Sequence, residues 1–260
     1  MTGKEFLWQY IMIDRQIRSV KLQLDSMVEV AKENAMSNVF QGEIANLKNK
    51  LKDLISKSAF VKKEILDKIG ADATGLPFNS IIAILLENDH PSTPLVNAGA
   101  ISACSMVQPI GDSAKKWDAI VGNVTDLCGS APQLIDELYK SESDTNFNNR
   151  SIAWLLKNYN RIYDDPDMSL DLYTRQCSLG VTALQLSIAA GTIANGGVNP
   201  VTKKEVFDAT LAPKITAMIA AVGFYEHTGD WMYTSGIPAK TGVGGGVMGV
   251  LPGQFGIAAF

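Results

Sequence analysis

Apolar residues in the first quarter of the chain follow a helical rhythm. Ile13, Ile17, Val20, Leu24, Met27 and Ala31 recur at alternating four- and three-residue intervals, and Phe40, Ile44, Leu47, Leu51, Leu54, Ser58, Val61 and Ile65 repeat the pattern. Such spacing draws an apolar seam along one side of a helix. The polar run from Glu33-Asn34 to Ser37-Asn38 breaks the register between the two seams. Two long helices joined as a hairpin are therefore predicted, packing on the body of the protein or dimerising as a coiled coil.

The punctuation changes near Gly70. Before it there is no proline, and glycine occurs only at Gly3 and Gly42; after it come Pro77, Pro91, Pro94 and a glycine-dense tail from Gly236. That shift predicts a boundary between a helical segment, 1–66, and a domain, 67–260. Within the domain, Ser80 to Asn88 (SIIAILLEN) and VTALQLSIAAGTIANGG, which ends in a glycine pair suited to a helix C-terminus, are predicted helices. WMYTSGIPAKTG, VMGVLPG and FGIAAF are short β-rich runs separated by glycine and proline, the pattern of an antiparallel meander. The fold class predicted is α+β, with a helical cluster packed on a small antiparallel sheet.

Composition narrows the function. With 260 residues, 46% hydrophobic and 19% charged, the chain is long enough to bury a core as one large or two small domains. A formal net charge of −4 supplies no broad positive field, which argues against nucleic acid and anionic membrane surfaces as partners. No apolar run reaches the ~18 residues of a spanning helix. In the opening MTGKEFLWQYIMIDRQ, acidic Glu5 and Asp14 bracket the apolar patch, and no small-residue cleavage site follows. A cytoplasmic protein is expected. Cys104, Cys128 and Cys177 are too few and too scattered for a disulfide framework or a zinc site, and are expected as buried thiols.

Several candidate motifs dissolve on inspection. His90 and His227 are the only histidines and stand far apart, with no ligand cluster around them. Asp164, Asp165 and Asp167 lack the central glycine and terminal glutamate of a calcium loop and read as a solvated turn. GVGGG, Gly242 to Gly246, lacks the GK[ST] ending of a phosphate loop and reads as a tight turn after a strand. The only S-x-x-K, Ser113 to Lys116, falls in the polar string GDSAKKW and is expected at the surface.

Lys240-Thr241-Gly242 is different, because Lys-Thr-Gly on a strand is a signature of serine β-lactamases and penicillin-binding proteins. It stands within GIPAKTGVGGGVMGVLPGQFGIAAF, preceded by GLPFNS, PLVNAGAI, TNFNNRSIAWLL, DLYTRQCS, TIANGGVNP and GFYEHTGDW. In order and interval these blocks resemble the bacterial serine-dependent glutaminases over residues 67–260. The resemblance implies a β-lactamase-like fold, with the match running out at Phe260 inside a sheet strand. It implies hydrolysis of L-glutamine to L-glutamate and ammonia through a serine acyl-enzyme, with no cofactor or metal and with a homo-oligomeric assembly. A chain that binds glutamine or glutamate without turnover, or one whose N-terminal helices mediate assembly, stand as alternatives. A β-lactamase is disfavoured because no S-D-N occurs.

By the same resemblance Asn97, Glu142, Asn149 and Tyr173 would hold the amino-acid end of the substrate, with Glu142 the ion partner of its ammonium. Tyr225 would relay protons beside the nucleophile, and the Val243 N–H would be an oxyanion donor. The family's nucleophile and base sit on one helix turn ahead of GLPFNS. The nearest string is Leu54-Ile55-Ser56-Lys57, which puts leucine in the serine slot and leaves Ser56 or Ser58, with Lys57 or Lys62, as candidates.

Overall fold

The computed structural model describes residues 20, 23–28, 42–52, 68–87 and 90–260. Contacts divide the chain into two units, Met1–Asp67 and Lys68–Phe260. In the first unit, residues 23–28 and 42–52 are helical. Buried Val20 packs with Leu47 and Leu51, three members of the two predicted seams. Ile44, Leu47 and Leu51 are half-buried while their helical neighbours face solvent, as an amphipathic helix requires. The connection between the seams, and Ser56, Lys57, Ser58 and Lys62, lie outside the described residues.

The second unit is helix-rich. Helix α1 (Ile81–Leu86) starts where Ser80 Oγ accepts from the Ala83 amide. It is followed by α2 (Asn97–Met106) and α3 (Ser113–Cys128), the latter capped by Asp112 and ended by Gly129 at φ 75°. Next come α4 (Asp136–Thr145), α5 (Phe147–Asn158) and α6 (Pro166–Cys177), with Asp165 as cap and proline at the first turn of α6. Helix α7 (Ala183–Ala194) opens with a reciprocal capping box between Thr182 and Gln185. Helices α8 (Ala212–Val222) and α9 (Thr228–Ser235) complete the set. The two-residue strands β1 (Gln133–Leu134) and β2 (Leu179–Gly180) pair antiparallel and fasten the start of α4 to the end of α6.

The C-terminal strands form the predicted meander. Strands β3 (Ala239–Thr241), β4 (Val247–Leu251) and β5 (Phe255–Ala259) pair antiparallel in the order β3-β4-β5, with Lys240 opposite Met248. The turn GVGGG is tight: the Gly242 amide donates to Gly246 O at 2.9 Å. One core holds Ile84, Ile101, Ile152, Leu156 and Leu170 from α1, α2, α5 and α6. A second joins Ala190 and Ile193 of α7, Ile219 of α8 and Val250 of β4. Full burial of each large aliphatic side chain is worth about 1.5–3 kcal/mol, so these two clusters decide how the helices seat.

Four local expectations are corrected. Trp231–Ser235, read as β-rich, belongs to α9. Its Trp231 ring stacks on Phe224 at 4.4 Å and donates from Nε1 to Ile237 O at 2.7 Å, contacts that a helical turn provides. Lys116, expected at the surface, is 0% exposed; its Nζ donates to Ser105 O at 3.0 Å and pairs with Asp164. Asp164 is accordingly no solvated turn residue, since it also accepts from the Gly111 amide. Cys104 and Cys128 are buried as expected, whereas Cys177, the last residue of α6, is exposed.

Candidate functional site

Tyr225 stands on the short turn between α8 and α9 with φ of 54°, a left-handed conformation that a tyrosine adopts at a cost of about 1 kcal/mol or more. The surroundings impose it. Buried Thr228 donates from its hydroxyl to Tyr225 O at 2.7 Å and accepts from the Phe224 amide at 3.0 Å. Just before the turn, Gly223 O accepts from the Thr241 amide at 3.0 Å, pinning the end of α8 against β3.

That pinning brings two elements together. Lys240 Nζ on β3 donates to the Tyr225 hydroxyl at 3.2 Å and to Thr241 O at 2.5 Å, and lies 4.3 Å from the Tyr225 ring centroid. Burial of the ammonium lowers the Lys240 pKa to about 8, since the charged form loses hydration with no carboxylate to replace it. Burial first, and then the nearby Glu226 carboxylate, push the Tyr225 hydroxyl above its ordinary value. At neutral pH the tyrosine keeps its proton beside an amine that gives its own up unusually easily.

The residues expected to grip an amino acid lie on other helices. Asn97 opens α2 and Asn149 lies on α5, and Asn97 Nδ2 donates to Asn149 Oδ1 at 2.8 Å. The Asn97 amide donates to Phe78 O at 3.0 Å, and the Phe78 ring packs on Tyr225 at 5.1 Å. Phe78 thereby couples the asparagine pair to the tyrosine. Tyr173, on α6, has its hydroxyl held above the ordinary range by burial first, then by Cys177, Cys104 and Tyr225. Glu142, exposed on α4, is near enough to raise the Cys177 thiol pKa behind the larger effect of burial. Val243 is 84% exposed in the turn after β3, whose internal hydrogen bonds are donated by the Gly242 and Gly245 amides rather than by its own.

The structure thus joins Asn97 to Asn149, and Tyr225 to Lys240, directly. It sets Tyr173 in electrostatic reach of Tyr225, and Glu142 in reach of Cys177. Ser113 and Lys116 are not part of this arrangement, because Lys116 is taken by Asp164. Ser56 and Lys57 lie outside the described residues. Two participants were not singled out as site residues from the sequence, Lys240 and Phe78. The Lys-Thr-Gly signature itself was the signal for Lys240, and the block GLPFNS carried Phe78. A separate cavity of about 500 Å³, with Ser187, Gly191, Asn195, Lys203 and Phe255 in its wall, contains none of these side chains. Among the described residues no group of three or more His, Cys, Asp or Glu is placed to hold a metal ion. No helix among them is long and apolar enough to cross a membrane.

Comparison with known proteins gives one consistent result. The glutaminase family model matches residues 51–260. A glutaminase from Bacteroides thetaiotaomicron is 98% identical over 198 residues, covering 76% of this chain and 62% of that relative. Glutaminases from Parabacteroides distasonis and Mycobacterium ulcerans are 87% and 48% identical over the same length. Among solved structures, the probable glutaminase ybaS superposes with a TM-score of 0.74 at 46% identity, covering 76% of this chain and 64% of that one. A probable glutaminase of Bacillus subtilis gives a TM-score of 0.71 at 27% identity, covering 78% and 67%. The fold is α+β and β-lactamase-like. The chain spans 62% of the length of the curated relatives it matches first.

Proposed function

The chain belongs to the glutaminase family, and we propose that it binds L-glutamine and hydrolyses the side-chain amide to L-glutamate and ammonia. The observation that carries the proposal is the Tyr225–Lys240 pair at the meeting point of α8 and β3, with Asn97 and Asn149 linked to it through Phe78. A glutamine site must accept an ammonium, a carboxylate and an amide at once. Asn97 and Asn149 offer amide donors and acceptors, Tyr173 a hydroxyl, and Glu142 the charge for the ammonium.

The nucleophile and base candidates read from the sequence, Ser56 or Ser58 with Lys57 or Lys62, lie outside the described residues, and the family match, which begins at residue 51, includes them. In the family's reaction a serine hydroxyl attacks the amide carbon to give a tetrahedral oxyanion, and the exposed Val243 N–H, an amide that the turn does not use, is the donor proposed for it. The C–N bond then breaks as the nitrogen takes up a proton and leaves as ammonia, and water releases glutamate from the acyl-enzyme. Tyr225 donates its hydroxyl hydrogen toward the departing nitrogen, and Lys240 returns it. The amine's low pKa makes it a ready partner, since proton transfer is most efficient when donor and acceptor titrate near the working pH.

The setting proposed is a cytoplasmic homo-oligomer. The free thiols support a reducing compartment, and the homo-oligomer rests on the resemblance to the bacterial glutaminases. Ammonia release from L-glutamine by the full chain tests the function. Release by the wild type should fall by about 100-fold or more in both Ser56→Ala and Tyr225→Phe. Wild-type release no faster than buffer would overturn turnover, and an undiminished Ser56→Ala would reassign the nucleophile.

A further inference from the structure

The cysteines carry information that the hydrolytic reading does not use. Cys104 is buried near the end of α2, and its Sγ donates to Gln176 Oε1 at 3.7 Å. It also packs in one cluster with Leu172 and Tyr173 of α6. Residues four apart stand over one another on a helix, so Leu172 with Gln176, and Tyr173 with Cys177, form two adjacent rows. Cys104 sits against both, and the second row ends in Cys177. That residue is exposed, so a small oxidant reaches it first. Cys128 is buried at the end of α3, outside this cluster.

The charged and titratable neighbours are few. Burial, the Cys177 thiol and, in opposition, the Lys116 ammonium act on Cys104, whose pKa is pushed up to about 12. Although Cys177 keeps surface open to solvent, partial desolvation against the neighbouring helices raises its thiol, Tyr173 opposes this through a hydrogen bond, and the Glu142 carboxylate raises it further. Cys177 is therefore within hydrogen-bond reach of Tyr173 and electrostatic reach of Glu142, two residues assigned above to the amino-acid grip, with a second thiol across the helix interface.

We infer that Cys104 and Cys177 are a redox pair whose oxidation to a disulfide draws Cys177 away from the Tyr173 hydroxyl and loosens the hold on the amino acid. The chemistry balances with hydrogen peroxide as the oxidant. The Cys177 sulfur displaces water from peroxide and becomes a sulfenic acid; the Cys104 thiol attacks that sulfur, the S–S bond forms and a second water leaves. In sum, two thiols and one peroxide give one disulfide and two waters. Because only thiolates react, the raised pKa of each thiol makes the step slow at neutral pH and faster in alkali. The effect on ligand rests on the proposed glutamine site, whereas formation of the bond does not.

The test uses the full chain treated with hydrogen peroxide, alkylated with iodoacetamide and mapped by peptide mass. The expected product is a Cys104–Cys177 linked peptide that reductant reverses, with Cys128 alkylated. In Cys104→Ser, Cys177 should accumulate as a sulfenic acid that dimedone traps. Calorimetry with L-glutamate should show oxidised protein binding about fivefold more weakly, the loss of one hydrogen bond's worth of affinity, with recovery on reduction. Oxidation of Cys177 beyond sulfenic acid while wild-type Cys104 remains alkylatable would overturn the pair. A linked peptide with unchanged glutamate binding would overturn its effect on the site. Failure of the reduced protein to bind glutamate would instead count against the function, and the peptide map would still decide the disulfide.

Discussion

Gly223→Ala probes the joint on which the site depends. Gly223 closes α8 with φ of −61° and ψ of −34°, ordinary helical values at which alanine is unstrained and gains about 1 kcal/mol over glycine in intrinsic preference. Sterically the position is closed: an added Cβ would stand 1.7 Å from Ala239 O. Restoring an ordinary contact of about 3.4 Å requires β3 to withdraw by about 1.7 Å, since close-packed interiors leave no slack. The Thr241 amide then loses Gly223 O, and Lys240 Nζ moves out of hydrogen-bond range of Tyr225. Overpacking costs about 1–3 kcal/mol and the broken bond about 1, so after the propensity gain the net loss is about 2 kcal/mol. For a domain of this size that lowers Tm by about 4–8 °C. Differential scanning calorimetry reads the stability, and a pH series of ammonia release reads the displaced lysine. Gly244→Ala, where nothing lies within 4 Å of an added Cβ, is the control and should leave both unchanged. A Gly223→Ala protein that melts with the wild type and keeps its pH profile would refute the claim that this contact sets the Tyr225–Lys240 pair.

Other consequences are equally open to measurement. Wild-type kcat for L-glutamine should fall as pH rises through about 8, where Lys240 loses the proton it returns to Tyr225, and Lys240→Met should abolish that limb. Lys116→Met leaves the buried Asp164 carboxylate without its cation and should cost about 3–5 kcal/mol in denaturant unfolding; a loss under about 1 kcal/mol would show that the Gly111 and Asp165 amides alone compensate its charge. For Asp164 burial acts upward, but hydrogen bonds from Lys116 and the Gly111 and Asp165 amides win and hold the carboxyl below its ordinary range. Its stabilisation is thus complete above the usual carboxylate pKa and is lost as pH falls through the lower folded value, an acid limb that Asp164→Asn should lack. Gly197→Ala, at φ 93° and with an added Cβ 2.1 Å from Phe207 O, should destabilise the turn after α7 by about 2 kcal/mol or more, read as a lower urea midpoint.

Local signals in the sequence carried much of this fold. Ser80 marks the start of α1, and the alternating glycines and β-branched residues after Gly236 mark the three strands. Trp231–Ser235 misled because aromatic and hydroxyl side chains favour strands intrinsically, while what decided the matter was tertiary. Phe224 offered a ring to stack on, and Gly236 at φ 66° ended a helix. Lys116 misled for the same physical reason. A lysine among polar neighbours reads as exposed, and its burial depends on Asp164, far along the chain, which no local pattern announces. The residues proposed to grip the substrate were legible only as members of a family pattern. Asn97, Glu142, Asn149 and Tyr173 sit on four helices, and no spacing rule links them. Lys240 was visible as a motif, yet its low pKa comes from burial against α8, which sequence alone does not specify.

The central claim is that residues from α2, α4, α5, α6, β3 and the turn after α8 form one glutamine site. Titration calorimetry of the full chain with the product L-glutamate tests it most directly. Saturable one-to-one binding is expected, weakened about tenfold or more by each of Asn97→Ala, Glu142→Gln and Tyr173→Phe when the variants remain folded. Absence of binding to the folded wild type, or binding indifferent to all three substitutions, would contradict it.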